Sequence, residues 1–269
     1  MPELTLRVVL LSIASGLTIG FFIGMTGIGG GVLNQPALRF VIGVNQATAV
    51  GTALLYSVLS VIAAIRAHWA AKNIDIHVAG WTIVGAVPAA IGASLAVNSL
   101  KAHYGDPFDL VLQRIVGGLM VSSLGLMVWA SVAAHRRVAS GDNGDGCPLP
   151  IKTVRKRGVV LGAFLGMLVG GTSVGGGVVM LPLLLGCFHL AARRAVGTSL
   201  AITLSCTLVS APVYLFSGNL AWPISLIMFS GALVGVRLGA WASVRIPDLL
   251  LRGIMIAIMF SAAFIMLAG

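Results

Sequence analysis

GLTIGFFIGMTGIGGGVLNQPAL at residues 16–38 returns as GAFLGMLVGGTSVGGGVVMLPLL at residues 162–184. At this offset of 146, ten of 23 positions are identical: Gly16 with Gly162, Gly20 with Gly166, Gly24 with Gly170, Thr26 with Thr172, Gly29, Gly30 and Gly31 with Gly175, Gly176 and Gly177, Val32 with Val178, Pro36 with Pro182, and Leu38 with Leu184. The match continues downstream, where AVGTAL at 49–54 faces AVGTSL at 195–200 and Asn73 faces Asn219. Self-similarity at a fixed offset marks a repeated unit, so the chain reads as a tandem duplication.

The unit is built of lipid-soluble segments. Of 269 residues, 58% are hydrophobic and 9% charged, with a mean hydropathy of +1.04; a soluble domain carries about 25% charged residues. Five apolar segments per copy cover 6–26, 31–42, 46–65, 77–97 and 111–133, then 158–172, 177–190, 195–216, 221–243 and 249–268. The second of each set is shorter than the roughly 20 residues needed to cross a bilayer core, and it reads as a half-helix. The first apolar run follows Arg7 and passes Gly16, Gly20 and Gly24 without a small-residue cleavage site, so it is expected to be retained rather than removed as a signal peptide.

Whether the first two segments of a copy both cross or form a re-entrant hairpin, the number of crossings per copy is odd, and an odd unit duplicated in tandem inserts upside down. The expected fold is therefore an all-α integral membrane protein, a tandem inverted-topology repeat of five segments each, with a broken or re-entrant helix pair opening each repeat. Its parts are a first repeat at 1–135, a basic linker at 136–157 and a second repeat at 158–269, with 139–150 (ASGDNGDGCPLP) as a flexible join. Cation placement supports this order. If Arg136, Arg137, Lys152, Arg155, Lys156 and Arg157 are cytoplasmic, so are Arg66, Lys72, Arg193, Arg194, Arg245 and Arg252, against Arg7, Lys101, Arg39 and Arg114 outside. Both termini then lie on the non-cytoplasmic side. The formal charge of +10 is spread over these short connections and forms no basic face for nucleic acid.

Three consecutive glycines propagate a helix poorly, so each first helix should break at TGIGGG or TSVGGG. A break frees backbone N–H and C=O groups, which membrane depth tolerates only inside protein or beside a wet cavity. The N–H groups and dipole at the start of the following half-helix suit an anion, to which Thr26, Thr172 and Ser173 would add hydroxyls. Pro36 and Pro182, five or six residues into the half-helices, should kink them. The copies differ where Asn34 and Gln35 face Met180 and Leu181, which puts polar amides on one side of the pathway. Arg237, between Gly235 and Gly239, is an intramembrane cation with two readings, a functional group or a side chain that snorkels to the surface.

Other chemistries lack their residues. Glu3, Asp75, Asp106, Asp109, Asp142, Asp145 and Asp248 lie at segment ends or in connections, as do His68, His77, His103, His135 and His189. Cys147, Cys187 and Cys206 show no paired or zinc spacing. No HExxH or GxxxxGK[ST] occurs. Neither an enzyme nor an ATP-driven pump is expected, and neither a cofactor nor a metal.

The doubled motif, with AVGT following in both copies, resembles the sulfite exporter TauE/SafE family, also called the 4-toluene sulfonate uptake permease family. The resemblance covers nearly the whole chain. It implies movement of sulfite, sulfonates or related sulfur oxyanions across the bacterial inner membrane, often outward, and it places weight on Thr26, Gly29, Gly30, Gly31, Thr172, Ser173, Gly175, Gly176 and Gly177; Asn34, Gln35 and Arg237 rest on the residues alone. The expected activity is secondary transport of a small sulfur-containing oxyanion, with export driven by the membrane potential. Proton-linked uptake of a sulfonate or other organic anion is the alternative within transport, and a membrane scaffold or sensor the alternative outside it.

Overall fold

In the computed structural model, α1 (Leu6–Thr26) stops at the first glycine cluster and α2 restarts at Gly31. The structure describes residues 6–26, 31–70, 73–139, 151–174, 179–188, 190, 192–243, 257, 260, 261, 263, 264 and 266. α2 (Gly31–Pro36) continues as a π-helix over Ala37–Ile42, beginning one residue after Pro36. Proline has no N–H to close a normal turn and its ring crowds the preceding carbonyl, and widening to a π turn is one way to absorb this. Gly43, at φ +82, ends the segment. α3 (Gln46–Ala70), α4 (Ile76–Tyr104) and α5 (Asp106–Ala139) complete the first five segments. α6 (Ile151–Thr172), α7 (Met180–Cys187), α8 (Ala192–Phe216) and α9 (Trp222–Ser243) follow.

The segments fall where the hydropathy places them, but several helices run past the apolar limits. α4 extends to Tyr104, α5 to Ala139, and α6 begins at Ile151 among Lys152, Arg155, Lys156 and Arg157. Lys and Arg are good helix formers, so the backbone has no reason to stop where lipid does. α7 begins at Met180, which puts Pro182 in its first turn, where a missing N–H has no partner to lose; of the two prolines only Pro36 sits within a helix that changes type. Most of the last segment, and residues 140–150 of the expected flexible join at 139–150, lie outside the described residues, while Ala139 closes α5.

Five described helices are long and apolar enough to cross a membrane, with spans at Leu6–Ile23, Gln46–Ile65, Ile76–Tyr104, Arg194–Phe216 and Trp222–Gly239. Their outer faces expose Leu10, Ile62, Val84, Leu208 and Val234, while Thr52, Ser94, Thr198, Ser210 and Ser225 are buried. A molecule apolar outside and hydroxyl-bearing inside has lipid as its solvent. The buried hydroxyls of Thr82 and Ser94 donate to Val78 O and Ala90 O, one turn back.

Packing follows the spaced glycines. α4 lies most extensively on α6, and α1 on α9. Gly162, Gly166 and Gly170 of α6 meet the backbone of Thr82, Ala86 and Ala90 of α4 in that order, so the two helices run parallel. Gly16 and Gly20 of α1 meet Met228 and Ala232 of α9 in the same sense. Gly85 touches Val159 O and Gly231 touches Ile13 O; Gly51 touches Asn219 O and Gly197 touches Asn73 O. In each pair of contacts, both residues shift by 146. Two hydrogen bonds repeat the pattern: Asp75 N donates to Thr198 Oγ1 (3.0 Å) and Ala221 N to Thr52 Oγ1 (3.1 Å). Small residues let backbones approach closely in lipid, where no hydrophobic drive joins helices.

Candidate functional site

The register of α6 on α4 fixes where α6 ends. Gly170 lies against Ala90, the middle residue of the 29 in α4, so a helix that enters beside the start of α4 stops halfway along it. Its last carbonyls have no i+4 donor within the helix. Side chains from two other helices supply donors, Tyr214 Oη of α8 (3.1 Å) to Gly170 O and Gln35 Nε2 of α2 (3.1 Å) to Thr172 O, and Ser94 Oγ of α4, whose proton goes to Ala90 O, lies 3.1 Å from Gly170 O. Gln35 thereby ties the half-helix of one glycine cluster to the broken end at the other. Gln46 Nε2, in the first turn of α3, donates to Gln35 Oε1 at 2.9 Å.

The chain leaves α6 through Ser173, whose φ of +58 is left-handed, a conformation that costs a non-glycine residue roughly 1–2 kcal/mol. Thr172 Oγ1 donates to Leu168 O and accepts from Val174 N, closing the turn. Its proton is thus committed to the helix. Ser173 Oγ, both side-chain polar atoms of Asn34, and Gln46 Oε1 are buried and have no hydrogen-bond partner among the described residues. Ser12 Oγ of α1 and Tyr56 Oη of α3 are orphaned as well. An unpaired buried polar group costs about 1–3 kcal/mol, so the orphaned atoms of Ser173, next to the last residue of α6, and of Gln46, bonded to Gln35, make a poor packing solution at this helix end. It suits a site that takes a polar guest.

The expected site residues divide accordingly. Gln35 and Thr172 are joined directly; Asn34 and Ser173 are buried and unpartnered. Thr26 is the last residue of α1 and Gly31 the first of α2. Gly29, Gly30, Gly175, Gly176 and Gly177 lie outside the described residues. Arg237 is exposed on α9 and takes no part in the bonds at the end of α6. Gln46, Ser94 and Tyr214 carry no mark in the repeat. The available signal was a polar side chain inside an apolar span, which in Gln46 stands at the head of one.

The ends of the half-helices away from the break are held by arginines. Arg39 donates through Nε to Gln113 Oε1 (3.1 Å) and through a terminal nitrogen to Val44 O (3.3 Å), and Arg157 donates to Cys187 O (3.2 Å) at the close of α7. Cations at helix C-termini complement the dipole. Asp109, buried in the first turn of α5, accepts from Ala47 N at 3.1 Å and pairs with Lys101, so this carboxylate holds the start of α3.

A chain with this doubled, broken-helix core matches the family model described as "Sulfite exporter TauE/SafE" over residues 12–266. It belongs to the TauE/SafE family. Among curated proteins, this TauE/SafE chain is 26% identical over 249 residues to "Probable membrane transporter protein YjnA" of Bacillus subtilis (strain 168), covering 91% of this chain and 94% of that one. It is 26% identical to YunE of the same organism, named in the same words, over 84% of this chain and 85% of the relative. A probable membrane transporter protein of Xylella fastidiosa (strain Temecula1 / ATCC 700964) is 24% identical, over 90% and 88%. No solved structure matches. The TauE/SafE chain is therefore a multi-pass membrane transporter, and its relatives are named as transporters rather than as enzymes.

Proposed function

We propose that the protein is a secondary transporter that exports a small sulfur-containing oxyanion, sulfite or an organosulfonate, across the bacterial inner membrane, down the membrane potential. The observation that supports this reading is the hydrogen bond from Gln35 to Thr172 O, which joins the half-helix after the first glycine cluster to the end of the helix before the second, with Ser173 next in the chain and Gln46 bonded to Gln35, their Oγ and Oε1 buried without a hydrogen-bond partner among the described residues. Amide N–H and hydroxyl donors, with no cation bonded to Gln35, Gln46 or Thr172 among the described residues, suit an anion that must bind and leave again. Thr26 and the glycines 29–31 and 175–177 are assigned to the same site on the strength of their repetition, and Arg237 to the route toward it.

The architecture is two inverted copies, residues 1–135 and 158–269, joined by a cytoplasmic basic linker at 136–157. Support comes from the reciprocal contacts. When residue i meets j+146, residue i+146 meets j, as with Gly16 and Met228 against Gly162 and Thr82, which is what a two-fold relation between the copies would produce. The distribution of Lys and Arg then puts both termini outside.

The potential is worth about 2.3 kcal/mol per charge per 100 mV, enough to hold a roughly 50-fold gradient of a monovalent anion. Flux of radiolabelled sulfite and of a short sulfonate from proteoliposomes, measured against an imposed potential and an imposed pH gradient, tests the reading. Potential-driven movement supports it. Flux that ignores the potential and follows the pH gradient replaces uniport with proton-linked uptake, and failure of the whole panel to move or bind removes the substrate assignment.

A further inference from the structure

We propose that Gln46 is a positioning residue for transport, which holds the Gln35 carboxamide so that its N–H face, and not its oxygen, is turned to the broken end of α6 and to the passing anion. This rests on the oxyanion-transport reading above.

The orientation follows from hydrogen-bond polarity. The carbonyl of Thr172 can only accept, so the group of Gln35 that meets it at 3.1 Å is the amide nitrogen. The Gln35 oxygen then faces the other way, buried, and needs a donor. Gln46 provides one at 2.9 Å through its own amide nitrogen, which fixes the direction of the second carboxamide as well and leaves its oxygen, fully buried, without a partner among the described residues. The chain Gln46 to Gln35 to Thr172 therefore has one sense only. A free carboxamide presents either a donor or an acceptor, and the acceptor repels an oxyanion; locked from behind by Gln46, Gln35 presents a donor. Its nitrogen carries two protons, so it can hold Thr172 O and an anion together or exchange one for the other as the site opens.

The device is built once. At the offset of 146, Leu181 stands for Gln35 and Ala192 for Gln46, so the second half-helix has no counterpart and the anion is read from the first copy's side. This is independent of the glycine breaks, which both copies share.

The test uses the full chain in two variants, Gln46→Glu and Gln46→Met, with a short alkyl sulfonate as the probe because its charge is constant over the pH range. A protonated carboxyl at position 46 can donate to the Gln35 oxygen as the amide does. Once ionised it can only accept, which draws the Gln35 nitrogen away from Thr172 O. A carboxylate at position 46 would set an acceptor against the Gln35 oxygen, where the protonated carboxyl sets a donor, so Gln46→Glu should melt closest to wild type at acid pH and fall away from it toward pH 8. Sulfonate flux should follow the same curve, within about threefold of wild type in acid and at least about tenfold lower at pH 8, the loss of one buried hydrogen bond. Gln46→Met, with no charge to repel an anion, should raise KM at every pH.

Flux and melting of Gln46→Glu that parallel an active wild type across pH overturn the proposal, as does a melting curve that responds while KM in both variants stays at the wild-type value. A wild type that moves neither sulfonate nor sulfite overturns the substrate reading and the transport role of Gln46 together, a result distinct from either of these.

Discussion

Replacing Gly166 with alanine tests whether the α4 and α6 contact is what sets the position of the broken end. An added Cβ at Gly166 would stand 2.8 Å from Ala86 Cα and closer still to the Ala86 carbonyl oxygen. Carbon atoms in good contact are about 3.5–4.0 Å apart, so the helices must part by roughly 0.7–1.2 Å or tilt, and both neighbours are backbone that cannot rotate aside. Overpacking of this kind costs about 1–3 kcal/mol, against a gain of roughly 0.5–1 kcal/mol from replacing a helical glycine by alanine. Gly92, on α4 and exposed, has nothing within 4 Å of the same added atom, and only the gain applies. Melting in a mild detergent should therefore order the variants as Gly92→Ala at or above wild type and Gly166→Ala below it. Gly20, whose added Cβ would lie 2.7 Å from Ala232 Cα, should behave like Gly166. Flux should fall in Gly166→Ala even where folding survives, because Gly170, Thr172 and the Gln35 bond lie at the end of the displaced helix. The reasoning is refuted if Gly166→Ala melts with Gly92→Ala, and the reciprocity of the copies is refuted if Gly20→Ala melts as wild type while Gly166→Ala does not.

Thr52→Val and Thr198→Val each remove the hydroxyl that accepts from a backbone N–H at the head of α9 or α4; each should cost about 1–3 kcal/mol in detergent unfolding, and similar losses in the two support equivalent positions in the copies. Asp109→Asn breaks the pair with Lys101, whose side chains are 6% and 12% exposed, and weakens the hold on Ala47 N. A loss on the order of 3 kcal/mol is expected, read as a lower melting temperature that added salt does not restore; an unchanged melting curve would reduce the pair to a surface contact.

Segment positions were legible because lipid imposes a length and a composition on each crossing. α1 and the half-helix ending at Ile42 fall at 6–26 and 31–42 in both readings, while charged helix ends such as Lys101 to Tyr104 were not, since hydropathy records the solvent of a residue and not its backbone. The glycine spacing announced close helix contacts but could not name the partners. That Gly16 faces Met228 and Gly162 faces Thr82 requires the first helix of each copy to cross over to the fourth segment of the other, a choice made by packing and invisible in a periodicity.

The site separates into two layers for the same reason. What the copies share, the glycine breaks and Thr26 with Thr172, stands out when they are laid side by side, and shared features are those needed to break a helix twice. Gln35 and Gln46 have no equivalents in the second copy, so duplication gave no means of pairing them, and the bonds from Gln46 to Gln35 and from Gln35 to Thr172 join different helices, which no spacing within a helix announces. On the proposed transport reading, selectivity arises there: two equivalent breaks would offer an anion two equivalent sets of backbone groups, and only a group present on one side would distinguish one end of a sulfonate from the other. The oriented amide chain from Gln46 through Gln35 to Thr172 is such a group, and a symmetric oxyanion should therefore depend on it less than a sulfonate with a distinct organic end.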